Sequence, residues 1–117
     1  MTGFAQDPGV SVLRLQGEDE TLQTSRLRSE LANAVAGRTP VVVDLTGATS
    51  IDATVVRILL EGLAESEKRE HLLLLLLPDD DASPVRRLFQ LTGLEQLLPI
   101  VNSWDEALRR AGRAQLT

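Results

Sequence analysis

Apolar positions fall along this chain in short blocks whose spacing switches between strand-like and helix-like. Val10, Val12, Leu13 and Leu15 mix with polar residues in the manner of a strand, and the Gly17-Glu18-Asp19-Glu20 turn ends it. From about Ser25 to Ala36, Leu27, Leu31, Ala34 and Val35 recur at helical spacing, with Gly37 and Pro40 as stop signals. Val41 to Leu45 reads as the next strand. Val56, Leu59, Leu60 and Leu63 predict one face of a second helix that fades into the polar stretch from Glu65 to Glu70. The run from Leu72 to Leu77 is apolar at every position, which predicts a strand covered on both sides, and Pro78-Asp79-Asp80-Asp81 ends it. Ser83 then caps a third helix with Pro84 in its first turn. Val85, Leu88, Phe89 and Leu91 form its stripe and Gly93 closes it. A short strand from Pro99 to Val101 follows. A helix from about Ser103 to Arg110, docked by Trp104 and Leu108, comes last. The ends, 1–9 and 111–117, are expected to be loosely held.

A strand followed by repeated helix and strand units predicts an α/β domain with a mainly parallel sheet, right-handed crossovers and helices packed against it. No internal repeat and no long linker interrupts it. At 117 residues the chain has the length of a single domain, expected over 1–117 with a core over about 10–110.

Composition narrows the class of function. The hydrophobic fraction of 43% and the charged fraction of 25% are those of a globular protein, so no disulfide or metal staple is needed for a core. Cysteine is absent, which removes thiolate chemistry and fits a reducing compartment. The start carries no basic segment followed by an apolar run, and the longest apolar run is far short of the ~20 residues that cross a bilayer. The expectation is a cytoplasmic protein with no membrane partner. A net charge of -5 disfavours direct nucleic-acid binding, which rests on Lys and Arg neutralising phosphates.

The candidate chemistry is concentrated between Val41 and Leu60. There a strand ends in a polar turn, and a helix restarts at Asp52-Ala53-Thr54-Val55. That order sets Thr54 where a helix has free backbone N–H groups, so an anion built on its hydroxyl is electrostatically favoured. The same residue also reads as a first-turn hydroxyl that caps a backbone N–H, and Asp52 as an N-cap. At 100° per residue Thr54, Ile58 and Glu61 share a stripe away from Val56, Leu59 and Leu63. Ile58 is therefore expected to be exposed, either as an ordinary surface residue or as an anchor for a partner. Arg57 has two available roles, a counter-charge for a phosphate on Thr54 or an ion pair with Glu61 at i+4.

Other chemistries are weaker. Asp79-Asp80-Asp81 reads as a solvated turn, because its spacing matches no calcium-loop pattern. His71 is the only histidine, and it opens a strand whereas Thr54 follows the end of one. In parallel strands the two lie at opposite edges, which argues against a hydrolase. No Walker-type glycine loop is present, and no cofactor is expected.

The stretch from Val41 to Leu60 resembles the core motif of the STAS domain, the fold of bacterial anti-sigma factor antagonists and of the cytoplasmic part of sulphate transporters. In that family a strand ending in Asp-Leu-Ser leads, after a few residues, to Asp-Ser-Ser-Gly opening a helix. Here the corresponding residues are Asp44-Leu45-Thr46 and Asp52-Ala53-Thr54-Val55. The segment from Pro84 to Leu94 is similar to the family's third helix and its Leu-Thr-Gly-Leu ending, and Gly17-Glu18 is similar to its Gly-Glu-Leu-Asp turn. The resemblance runs from about Val10 to Arg110. It departs from the family at Ala53, Thr54 and Val55, and at Asp19 and Glu20, where the family has an apolar residue and Asp. A β-branched Val55 adds bulk beside the acceptor, where a kinase approaches.

What the resemblance implies is a STAS-like α/β domain, a mixed, mainly parallel sheet of four to five strands against about four helices. It implies no enzyme but an anti-sigma factor antagonist, monomeric when free. Its partner would be an anti-sigma factor that is also a serine-threonine kinase of the histidine-kinase-like ATPase fold. The family's phosphorylated hydroxyl falls on Thr54. The docking surface would comprise Glu18, Asp19, Glu20 and Thr21 together with Asp52, Ala53, Val55, Arg57, Ile58 and Glu61. A phosphorylation-independent STAS scaffold and a ligand-sensing STAS module remain as alternatives.

Overall fold

The structure, a computed structural model, describes residues 2–7, 10–17 and 21–116. Among them five strands form one sheet in the order β1-β2-β3-β4-β5. They are β1 (Thr2–Asp7), β2 (Val10–Gly17), β3 (Val41–Ala48), β4 (Leu73–Leu76) and β5 (Ile100–Val101). The helices are α1 (Thr21–Ala36), α2 (Ala53–Lys68), α3 (Pro84–Thr92), α4 (Leu94–Leu97) and α5 (Trp104–Leu116).

β2, β3, β4 and β5 are parallel, and β1 pairs antiparallel with β2. Because the parallel strands are laid down in spatial order, every crossover steps the same way across the sheet. A uniform right-handed crossover then puts all the crossover helices on one face. That is the observed arrangement. Side chains from α1, α2 and α3 share a core with Leu13, Val41, Val43, Leu45, Leu73 and Leu75 of the sheet. Strand alternation turns the intervening residues to the other face. There Val10, Val42, Leu74, Leu76 and Val101 meet Ala107 and Ala111 of α5, which follows the last strand and is not a crossover.

Local sequence explains the helix ends. Ser83 Oγ accepts from Arg86 N at 3.3 Å, Pro84 takes the first turn, and Gly93 closes α3 at φ 75°, a conformation open to a residue without Cβ. Asp80 Oδ1 accepts from Ala82 N at 2.9 Å, so the acidic run is used as a turn.

Several expectations change. Residues 2–7 form β1, so the chain before Val10 is not simply a loose end, and helix α5 continues to Leu116 with Ala111 buried. A strand held by backbone pairing to β2 needs no apolar signature of its own. The last helix docks through Trp104, Ala107 and Ala111, while Leu108 stays 47% exposed, because small residues let the helix lie close to the sheet. Leu91 is 83% exposed, leaving Val85 and Phe89 as the buried stripe of α3. Five helices stand in place of about four, since Gly93 separates α4 from α3.

Candidate functional site

α1 follows the carboxyl end of β2 and α2 follows that of β3, so the two helices start side by side at one edge of the sheet. Gly17 and Ala48, near those ends, are register partners. The strand leading to α2 carries a buried carboxylate in its middle. Asp44 Oδ1 accepts from the Thr46 amide at 2.8 Å and from the Thr46 hydroxyl at 2.6 Å, at the irregularity where the pairing of β3 with β2 shifts register between Arg14↔Asp44 and Gln16↔Gly47. Asp44 Oδ2 lies 3.4 Å from Arg14 Nε, and the Arg14 guanidinium stands 5.9 Å from the centre of the Trp104 ring.

Asp52 is the N-cap of α2. Its Oδ1 accepts from Val55 N at 3.0 Å, and its carbonyl accepts the first helical bond from Val56 N at 3.1 Å. Ala53 is consequently the first helical residue and Thr54 the second. The capping role belongs to Asp52, and the Thr54 side chain lies exposed on the first turn. A group attached there meets the unsatisfied N–H end of the helix and its partial positive charge.

The helix is rotated relative to the stripe expected for it. Val55, Ile58, Leu59, Gly62 and Ser66 are its buried residues, whereas Val56 and Leu63 are half-buried and Leu60 is exposed. Two expectations for the docking surface are thereby corrected. Ile58 is only 2% exposed and Val55 is fully buried, so neither offers a partner an accessible side chain. The physical reason is α1. It packs beside α2 on the same face of the sheet and covers the stripe that an isolated helix would turn to water. Burial of Val55 also means that its β-branched side chain points into the core, away from the exposed Thr54 face where a modifying enzyme would approach.

Gly62 permits this close approach. A Cβ on it would lie 2.5 Å from Leu31 Cδ2 of α1. Just beside that contact a small apolar hollow of about 100 Å³ opens between the helices, lined by Leu31, Val35, Ile58 and Gly62 with Arg28 and Glu61 at its walls. A second, more polar cleft of about 270 Å³ is lined by Thr24, Ser25 and Arg28 of α1 and by Thr54 and Ile58 of α2.

The structure therefore brings Thr54, Ile58 and Glu61 to the α1–α2 seam, with Asp52, Ala53 and Arg57 exposed on the same end of α2. The ion pair of Glu61 is not with Arg57. Its Oε1 lies 3.4 Å from Arg28 Nη2, so the i+4 pairing on one helix gives way to a pair between helices. Glu18, Asp19 and Glu20 lie outside the described residues, and Thr21 is the first residue of α1. Sequence reading missed Thr24, Ser25 and Arg28. They flank Leu27 and Leu31 on the α1 stripe, but only the neighbour relation between α1 and α2 gives them meaning.

Among the described residues no helix is long and apolar enough to cross a membrane. The family model described as "Mlab, STAS domain" matches residues 2–100. An anti-sigma factor antagonist from Mycobacterium paratuberculosis superposes with a TM-score of 0.75 at 26% identity, over 95% of this chain and 92% of that one. The antagonist SpoIIAA in its unphosphorylated form gives 0.76 at 22% identity, over 94% and 95%. The phosphorylated form of Bacillus SpoIIAA gives 0.71 at 22%, over 94% and 98%. No curated protein matches the chain in sequence.

Proposed function

Since this chain belongs to the STAS family, whose model spans most of it, we propose that it is an anti-sigma factor antagonist working by partner switching. The unmodified protein binds an anti-sigma factor that is also a serine-threonine kinase of the histidine-kinase-like ATPase fold, and the sigma factor is released. That kinase then switches the antagonist off at Thr54. The Thr54 hydroxyl oxygen attacks the γ-phosphorus of ATP. A new oxygen–phosphorus bond forms, the bond to ADP breaks, and the hydroxyl proton leaves to the kinase's base. No catalytic group is required of the antagonist itself, and the role is that of a binding module in transcription regulation.

The observation that carries this reading is the exposed hydroxyl of Thr54 on the first turn of α2, beside a polar cleft at the edge where α1 and α2 begin. Two further points support it. One solved antagonist of the same fold, SpoIIAA, is known in unphosphorylated and phosphorylated forms. Val55, which differs from the family's usual glycine, keeps its bulk in the core. A phosphate of charge about -1.5 to -2 at this position would be favoured by the helix N-terminus and would repel an acidic partner surface. The docking surface in this reading is the edge from Glu18 to Thr21 with the exposed Asp52, Ala53, Arg57 and Glu61.

Affinity capture from the source cells, with mass spectrometry of partners and of the 52–57 peptide, tests the proposal. An ATPase partner together with partial phosphorylation of Thr54 is expected. In purified components Thr54→Glu should weaken binding of that partner tenfold or more, about 1.4 kcal/mol, while Thr54→Ala retains it. Equal binding by both variants would remove the switch. A phosphorylation-independent scaffold is the second reading, favoured by Ala53 and Val55 standing where the family's phosphoacceptor motif has Ser and Gly. Stoichiometric capture of a partner with Thr54 never modified would select it.

A further inference from the structure

Arg28 of α1 forms part of the wall of both hollows along the α1–α2 seam, the cleft that holds Thr54 and the apolar cavity beside Glu61. Its side chain and that of Glu61 are each 55% exposed, with 3.4 Å between Nη2 and Oε1. Thr54, Ile58 and Glu61 succeed one another along α2 at i, i+4 and i+7, so Arg28 stands opposite the stretch between the threonine and the carboxylate. Resting on the proposed modification of Thr54, we infer that Arg28 is the intramolecular counter-charge of a phosphoryl group on Thr54, and that phosphorylation draws it away from Glu61.

The exchange follows from the relative strength of the two contacts. An ion pair half open to water is weak, because solvent screens it and two long side chains must be ordered to make it. A phosphothreonine carries nearly twice the charge of a carboxylate and has three acceptor oxygens. The planar guanidinium fork suits two of those oxygens at once. The flexible arginine stem lets the head travel along α2 while the backbone of α1 stays fixed in the core through Leu27 and Leu31.

The other charges near Thr54 point the same way. Asp52 is engaged in capping Val55 N. Arg57 is three residues further along the same helix, yet the cleft is lined by Thr24, Ser25 and Arg28 of α1 with Thr54 and Ile58 of α2 and not by Arg57. Arg28 is in this account a positioning residue. The consequence is that one modification alters the surface at two places. The neutral Arg28–Glu61 pair is opened, Glu61 is left as a bare carboxylate, and a partner that had fitted the seam meets a changed charge pattern along two turns of α2.

The experiment is to install phosphothreonine at position 54 of the full chain during synthesis, with an expanded genetic code, and to titrate the phosphate by phosphorus NMR. Its second ionisation, ordinarily at ~6, is expected below that value. Arg28→Gln should raise it by about half a pH unit or more, and Arg57→Gln by clearly less. Removing the competing carboxylate with Glu61→Gln should lower it further. Identical titrations with and without Arg28→Gln would overturn the inference, as would a larger effect of Arg57→Gln. The melting temperature of unmodified Arg28→Gln checks that the exposed substitution leaves the fold intact. Because the phosphate is installed without a kinase, this result is independent of whether cells modify Thr54. Absence of that modification in cells would count against partner switching alone.

Discussion

The two faces of the sheet are built on different terms. On one, three crossover helices lie over leucines and valines, and almost every inward side chain is a hydrocarbon. On the other, α5 alone covers a smaller cluster, and the strand residues there include a buried carboxylate, Asp44, held by Thr46 and by an arginine that also stands over Trp104. The difference teaches how a small α/β protein divides its tasks. Burial of apolar area is non-directional and tolerates rotation of a helix, as the turned stripe of α2 illustrates. A carboxylate in a nearly closed site is directional, and it sits at the register shift between β2 and β3, four residues before β3 ends at Ala48.

Substitutions on the two faces should therefore differ in size and in kind. The largest effect is expected at Ile58 on the three-helix face. Ile58→Ala should lower unfolding free energy by about 2–5 kcal/mol in a urea titration, the ordinary cost of emptying a filled core position. An effect within about 0.5 kcal/mol, as for a surface residue, would return Ile58 to the docking surface and break the contrast. On the other face Asp44→Ala should cost about 1–3 kcal/mol, since it removes charge-assisted hydrogen bonds and little apolar area. Arg14→Ala in the same background should add less than about 1 kcal/mol, because the Arg14 side chain is half exposed. A double-mutant cycle giving strong coupling between them would show the pair to be more than a surface contact. The smallest effect is expected at Asp52, outside both cores. Asp52→Ala should cost about 1 kcal/mol through loss of the cap, with the change in amide shift centred on Val55.

Much of this architecture was legible before any coordinates. Ser83-Pro84 and Gly93 bracket α3 by chemistry that acts over three or four residues, and Leu73 to Leu76 are buried as a strand covered on both sides must be. The candidate site was legible only in part. Thr54 and Asp52 could be set at a helix start from local order, and the motif resemblance named the same residues. The stripe of α2, in contrast, was misjudged. Val55, Ile58 and Leu59 are as apolar as Val56, Leu60 and Leu63, so the hydrophobic pattern admits more than one face.

What the sequence determined by itself is whatever short-range forces decide: helix caps, strand blocks, the turn at Asp79 to Asp81 and the place of Thr54 on the first turn of α2. Only the tertiary structure decided which face of α2 is covered, that β1 pairs with β2, and that Arg28 rather than Arg57 meets Glu61. Those outcomes depend on which elements become neighbours, and neighbours are chosen by the handedness of crossovers and by close contacts such as Gly62 against Leu31, between residues far apart in the chain.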